Sequence, residues 1–415
     1  MENIFYSKVF VAGSFKFAVD EASKRDTKLS TLDKFVCNLA TILVRDKEVV
    51  AVNLKILPNK CKIYIAKNDV WLAKDYEYIN NVKKVLINVS KEAPMSFEEA
   101  YEKDDVKKLA INIFKYCKYK LIIRLNKLRK DIASNEDEIY IKSFLDYVKS
   151  DGVDVMFSEI HVISRVCYNY YPTAKKDPTI PEKFLRHIKK VGSYIGSFID
   201  ITNCARKQKY KTLFSCIELK LLDPNMVVKT VSSWSDTVKH YFRDQKIYDE
   251  FKKKCLNDPV IKKNLVRVYG KYTPDMLDCE VTKKMHLHAE LNVLVNLMDQ
   301  GKKDIDYIAV SKKCCYLCDL YIKFLISKGY KITISDSGLH KKLYHIWKLP
   351  DAFKQEFIDY ATSELDYIIE KEISNHTNII AIPDNDPDSS DSESVLYYGS
   401  IVSYIDDLVY NYNYN

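Results

Sequence analysis

Apolar positions in the first part of the chain fall into one helical stripe and two strand-like runs. Leu32, Phe35, Val36, Leu39, Ile42 and Leu43 recur at helical spacing behind Ser30 and Asp33, which form a capping pair. Glu48 to Ile56 (EVVAVNLKI) is rich in β-branched residues, LPNK makes a turn, and Cys61 to Ala66 (CKIYIA) alternates as a strand does. Residues 75–278 read as mainly helical. Helices are expected within Glu98 to Lys130, Glu136 to Lys149, Pro181 to Lys190 and Ser235 to Phe242. Residues 279–383 then alternate helix and strand. A strongly apolar helix from His288 to Asp299 is closed by Gly301, Ile305 to Val310 (IDYIAV) is a buried strand, and Cys315 to Lys328 is an amphipathic helix ending at Gly329. Tyr330 to Ser335 (YKITIS) alternates again, a helix spans about Asp351 to Ile373, and a short strand is expected at Asn378 to Ile382.

This pattern divides the chain into 1–74, a mainly helical insertion at 75–278, 279–383, and a tail at 384–415. Composition sharpens the picture. The count of 9 Gly and 11 Pro in 415 residues argues against an all-β, turn-rich architecture and favours long helices. Eleven cysteines, an odd number scattered over a long chain, fit a reducing, intracellular compartment better than a disulfide framework. No apolar run is long enough to span a membrane, and the opening MENIFYSKVFVAGSF makes a poor signal peptide. The net charge of +8 is uneven. The tail holds seven acidic residues and no Lys or Arg, which leaves +15 on the first 383 residues. A basic body attracts phosphates, while a solvated Lys-rich surface is the plainer explanation.

The stretch Met285 to Leu325 carries the chemistry. It sets His288-Ala-Glu290 at the start of one helix and Cys315-Tyr-Leu-Cys318 at the start of the next, with a strand between. Cysteines three apart in a first helical turn can point to one side, and the helix dipole there favours thiolate. With one imidazole they make three zinc ligands and leave a fourth tetrahedral position for water, as catalytic zinc sites do. Zinc lowers the pKa of bound water and makes hydroxide available, and Glu290 is placed to move its proton to a leaving amine. A structural zinc clip would use the same cysteines, whereas a thioredoxin-type redox CxxC is disfavoured because no βαβ context leads into it and Cys314 adds a third neighbouring thiol. His286 is an alternative ligand to His288, or simply a loop histidine.

Helix-borne HxE and CxxC across a strand–helix unit form the signature of zinc nucleobase deaminases. On HLHAELNVL, IAVSKKCCYLCDLYI and SGLHKKLYHIWKLP (Ser337 to Pro350), together with VVAVNLKI and CKIYIAKND, the sequence resembles the cytidine-deaminase-like superfamily, in a nucleic-acid and nucleotide deaminase branch common in fungi. The resemblance implies a three-layer α/β/α domain, here carrying a large all-α insertion. It implies zinc held by His288, Cys315 and Cys318, with Glu290 as the proton-shuttling residue. It also implies substrate contacts from Asn68, after the second strand, and Ser311, four before Cys315. Many members have Pro where this chain has Cys314, a thiol that either competes for the metal or fills space.

The expected function is therefore zinc-dependent hydrolytic deamination of a nucleobase, in a free nucleotide or in single-stranded nucleic acid, without a membrane partner. The alternative is a catalytically inactive, zinc-stabilised binding or effector protein on the same scaffold. Lys115 to Lys130 (KYCKYKLIIRLNKLRK) has seven basic residues and no acid, so it reads either as a phosphate-binding face through Lys120 and Arg124 or as an ordinary solvated helix. His340, Tyr344, Trp347 and Trp71 are weaker candidates for touching a base, and core or rim packing accounts for them equally well.

Overall fold

The computed structural model describes residues 1–19, 29–270, 277–334 and 341–377. Its first element, α1 (Glu2–Phe15), is apolar on nearly every side and is buried on nearly every side, from Phe5 and Tyr6 to Phe15. Gly13 lets α1 approach Leu343, because a Cβ there would lie 3.2 Å from Leu343 Cδ2. Such a helix has no amphipathic stripe, so spacing alone does not reveal it. α2 (Thr31–Ile42) begins at the expected capping box: Asp33 N donates to Ser30 Oγ at 3.1 Å and Ser30 N donates to Asp33 Oδ2 at 2.9 Å.

β1 (Val50–Leu57) and β2 (Lys60–Lys67) pair as an antiparallel hairpin from Val50↔Lys67 to Leu57↔Lys60. The helices α3 (Ala73–Lys91), α4 (Phe97–Glu102), α5 (Asp104–Tyr116), α6 (Lys118–Ser134), α7 (Ile139–Ser150), α8 (Ile160–Ala174), α9 (Glu182–Ala205) and α10 (Lys211–Ser215) follow. α8 and α9 cross so closely that a Cβ on Gly192 would fall 2.6 Å from Tyr168 N. β3 (Ile217–Leu222) and β4 (Met226–Val231) come next, then α11 (Trp234–Lys239), α12 (Gln245–Asn257), α13 (Pro259–Tyr269) and β5 (Val281–His286). The last part runs α14 (Ala289–Met298), β6 (Asp304–Val310), α15 (Tyr316–Ser327), β7 (Lys331–Ile334) and α16 (Lys354–Thr377).

The main sheet has the order β3-β2-β1-β6-β7. β1 is antiparallel to both β2 and β6, whereas β2 with β3 and β6 with β7 are parallel. The period of two along the strands splits the core into two layers. Val50, Val52, Leu54, Ile63, Ile65 and Ala309 face one cluster with α2, α3 and α9. Ala51, Tyr64, Ala66, Ile308 and Val310 face the other, with α1, α14, α15 and α16. The architecture is thus the expected three-layer α/β/α domain with added helical parts. Residues 75–278 depart from an all-α insertion, however. They supply β3, which extends the main sheet in parallel with β2, and β4, which pairs with β5 from Met226↔His286 to Val231↔Val281. No helix among the described residues is long and apolar enough to cross a membrane. The strand expected at 378–382 and the tail lie outside the described residues.

Candidate metal centre

β5 delivers the first candidate ligand. His286 N donates to Ile346 O and Leu287 N to Asn225 O, both at 2.9 Å, so the chain enters α14 on a fixed path. His288 is the N-cap of α14, in extended conformation, and Glu290 follows in the first turn, only 3% exposed. β6 delivers the second group in the same way. Cys315 is the N-cap of α15, and its Sγ accepts from Cys318 N at 3.4 Å, so the two sulfurs share the first turn. Tyr316 N donates to Lys342 O at 3.0 Å and ties that turn to the segment after β7.

His288 Nδ1 lies 3.4 Å from Cys315 Sγ and 3.3 Å from Cys318 Sγ. A tetrahedral zinc with bonds of about 2.3 Å to sulfur and about 2.0 Å to nitrogen separates such ligand atoms by about 3.6 Å. The three side chains therefore already stand at ligand spacing. Trp347, fully buried, donates its indole N–H to Cys318 Sγ at 3.3 Å, the outer contact expected of a ligating sulfur. The electrostatics of the same atoms favour the charged imidazole and thiolate. Burial works against both charges, yet contact with Cys315 and the nearby Glu290 raises the His288 pKa above the ordinary histidine value. Burial likewise opposes the Cys315 thiolate, but Cys318 and His288 hold its pKa below the usual thiol value.

Glu290 sits beside the triad without joining it. Its Oε1 is 4.0 Å from His288 Nδ1 and accepts the Cys314 thiol at 3.6 Å. Its Oε2 is buried and has no hydrogen-bond partner among the described residues. A carboxylate oxygen left bare in the interior is costly unless something absent here completes it, such as a water or a substrate proton.

The structure brings the four residues of the two motifs together and gives the other candidates different partners. Asn68 Oδ1 accepts from Val49 N at 2.7 Å, and Ser311 Oγ accepts from Val50 N at 2.9 Å. Both side chains pin the start of β1. His286 is not in the ligand group; burial, then Lys284 and His288, hold its pKa below the ordinary value. Tyr344 is set edge-on to the His288 ring at 6.2 Å. Trp71 donates to Leu222 O at 2.9 Å. Arg124, expected on a phosphate-binding face, donates to Lys190 O and Ser193 Oγ, both at 3.1 Å, and stacks over Tyr194. His340 lies outside the described residues.

Sequence reasoning missed the contacts of Trp347 and Cys314, since nothing local to either residue announces its partner. It also missed a cation–aromatic run beside the triad. Phe17 packs on Tyr344 at 5.5 Å, and the Arg267 guanidinium lies 4.0 Å over Phe17.

Residues 287–351 match a family model described as OTT_1508_deam-like deaminase. This stretch is deaminase-like. It holds the ligand candidates His288, Cys315 and Cys318, and also Glu290, Cys314, Tyr344 and Trp347. No curated protein and no solved structure matches the chain.

Proposed function

We propose that the protein is a zinc-dependent hydrolytic deaminase acting on a nucleobase. The observation that carries this reading is the convergence of His288 Nδ1, Cys315 Sγ and Cys318 Sγ beside the unpartnered Oε2 of Glu290. His288, Cys315 and Cys318 would hold the zinc, which supplies Lewis acidity and brings the pKa of water close to neutrality.

The chain's own residues then do the following. Glu290 takes the proton of the attacking water on Oε2 and returns it to the departing amine. A carbon–oxygen bond forms, the carbon–nitrogen bond breaks, and ammonia leaves. Trp347 holds the Cys318 sulfur in place through its N–H. Tyr344 supplies an aromatic wall beside His288. Arg267 and Phe17, continuing from Tyr344, favour a phosphorylated substrate, either a nucleotide or single-stranded nucleic acid. Asn68 and Ser311 act through β1, whose first residues they fasten. All eleven cysteines are free thiols, which supports an intracellular setting.

The test is ammonia release by the zinc-loaded protein from cytosine and adenine, each supplied as nucleoside, nucleotide and single-stranded oligonucleotide. Glu290→Gln serves as control. Release that disappears in Glu290→Gln, with zinc retained, supports the reading. No release from any substrate would overturn it and leave a zinc-stabilised binding protein on a deaminase-like scaffold.

A further inference from the structure

We propose that Cys314 is a positioning residue for Glu290: its thiol S–H engages Oε1, locks the carboxylate plane, and leaves Oε2 as the oxygen that carries protons. The inference rests on the reading of Glu290 as proton carrier. It comes from two atoms of one carboxylate that are treated differently. Oε1 accepts from Cys314 Sγ at 3.6 Å, while Oε2 is buried with no partner among the described residues. Both side chains are nearly inaccessible, Glu290 at 3% and Cys314 at 3% exposed, so water does not compete for the bond.

The neighbouring residue fixes where Cys314 points. Cys315 caps α15 and turns its sulfur towards His288, and the extended backbone at Cys315 sends the preceding side chain another way. The Cys314 thiol lies within 4.8 Å of Glu290 and Cys318, a grouping that does not include His288 or Cys315. It therefore stands beside Glu290 and Cys318, outside the His288–Cys315–Cys318 group.

The choice of donor matters chemically. A proton-shuttling carboxylate has to keep one oxygen aimed at the reacting atoms through both proton transfers. An ammonium, guanidinium or backbone N–H on the other oxygen would also fix the orientation, but it would stabilise the charged form and weaken the base. A thiol is a weak donor, so it orients the group while pulling far less on its proton affinity.

Two measurements test this, one of which needs no turnover. The S–H stretching band of Cys314 is isolated as the infrared difference between zinc-loaded wild type and Cys314→Ala. It is expected at the lowered frequency of a hydrogen-bonded thiol, and to move up in Glu290→Ala. No S–H band in the difference spectrum, or a band indifferent to Glu290→Ala, overturns the proposal. In parallel, Cys314→Ala is expected to lower kcat about tenfold with KM unchanged, and Cys314→Ser, which keeps a donor, to retain more activity.

The cobalt-substituted protein should keep its thiolate-to-cobalt absorption in Cys314→Ala. A fall would make Cys314 a ligand and would also overturn the proposal. A deaminase whose kcat is untouched by Cys314→Ala refutes the positioning role and spares the proposed function. A correct infrared signature in a protein that deaminates nothing does the reverse.

Discussion

Trp347 and Cys318 meet through an indole N–H to sulfur bond of 3.3 Å, joining the segment before α16 to the first turn of α15. The indole is fully buried, against Phe5 and Phe357, so its N–H has no other use than this sulfur. Trp347→Phe keeps a ring in the cavity and removes the donor. The expected result is a protein that folds and binds zinc about tenfold more weakly in a chelator competition. Unchanged zinc affinity would mean that the bond only satisfies the indole.

A second buried group fixes the β2–α3 loop that carries Asn68. Asp75, fully buried, accepts from Lys67 Nζ at 2.6 Å, Leu72 N at 2.9 Å, Arg45 Nη1 at 3.1 Å and Tyr116 OH at 3.0 Å, and Glu48 pairs with Arg45 and Lys67. Burial opposes the Asp75 charge, but Lys67, the Leu72 N–H and Tyr116 together outweigh it and hold the pKa below the ordinary value of 3.8. The stability Asp75 contributes is present above that pH and is lost as pH falls through the folded value. Asp75→Ala leaves Lys67 and Arg45 with Glu48 as their remaining acid in this network. It is expected to cost about 3–5 kcal/mol in urea unfolding. A loss below about 1 kcal/mol would contradict the account.

Much of the site was legible because its chemistry is local. His288 with Glu290, and Cys315 with Cys318, each occupy one helix start, and a buried strand between them leaves little freedom for their placement. Strand periodicity likewise placed β1, β2 and β6. What escaped depends on long-range pairing. β3 is a half-buried edge strand without alternation, recognisable only beside β2. The resemblance implies substrate contacts for Asn68 and Ser311, but not that both also bond backbone at the start of β1, Ser311 across 261 residues. Arg124 reads as a surface charge until α9 supplies carbonyl and hydroxyl acceptors.

His345 gives the protein a mildly acidic weak point. Burial, then Lys283 and Arg267, push its pKa from 6.5 down to about 4. The imidazole is neutral in the folded state, while the unfolded chain takes up a proton below 6.5. Stability is therefore full above that pH and declines as pH falls towards 4, by roughly 2–3 kcal/mol from this residue. His345→Leu should flatten the decline of unfolding free energy between pH 6.5 and 4. An identical slope in the variant would exclude His345 as its source.

Arg267 tests the substrate side. If a phosphate chain passes over Phe17, Arg267→Ala should weaken binding of a single-stranded oligonucleotide and reduce the slope of log affinity against log salt by about one. Fluorescence anisotropy over a salt series measures both. An unchanged slope would remove Arg267 from the substrate path while leaving the metal centre untouched.

Metal content of the purified chain tests the central claim most directly. The account predicts one zinc per chain in wild type, retained in Glu290→Gln and lost in Cys315→Ala and His288→Ala. Wild-type protein without zinc, or zinc that survives both ligand substitutions, would contradict it.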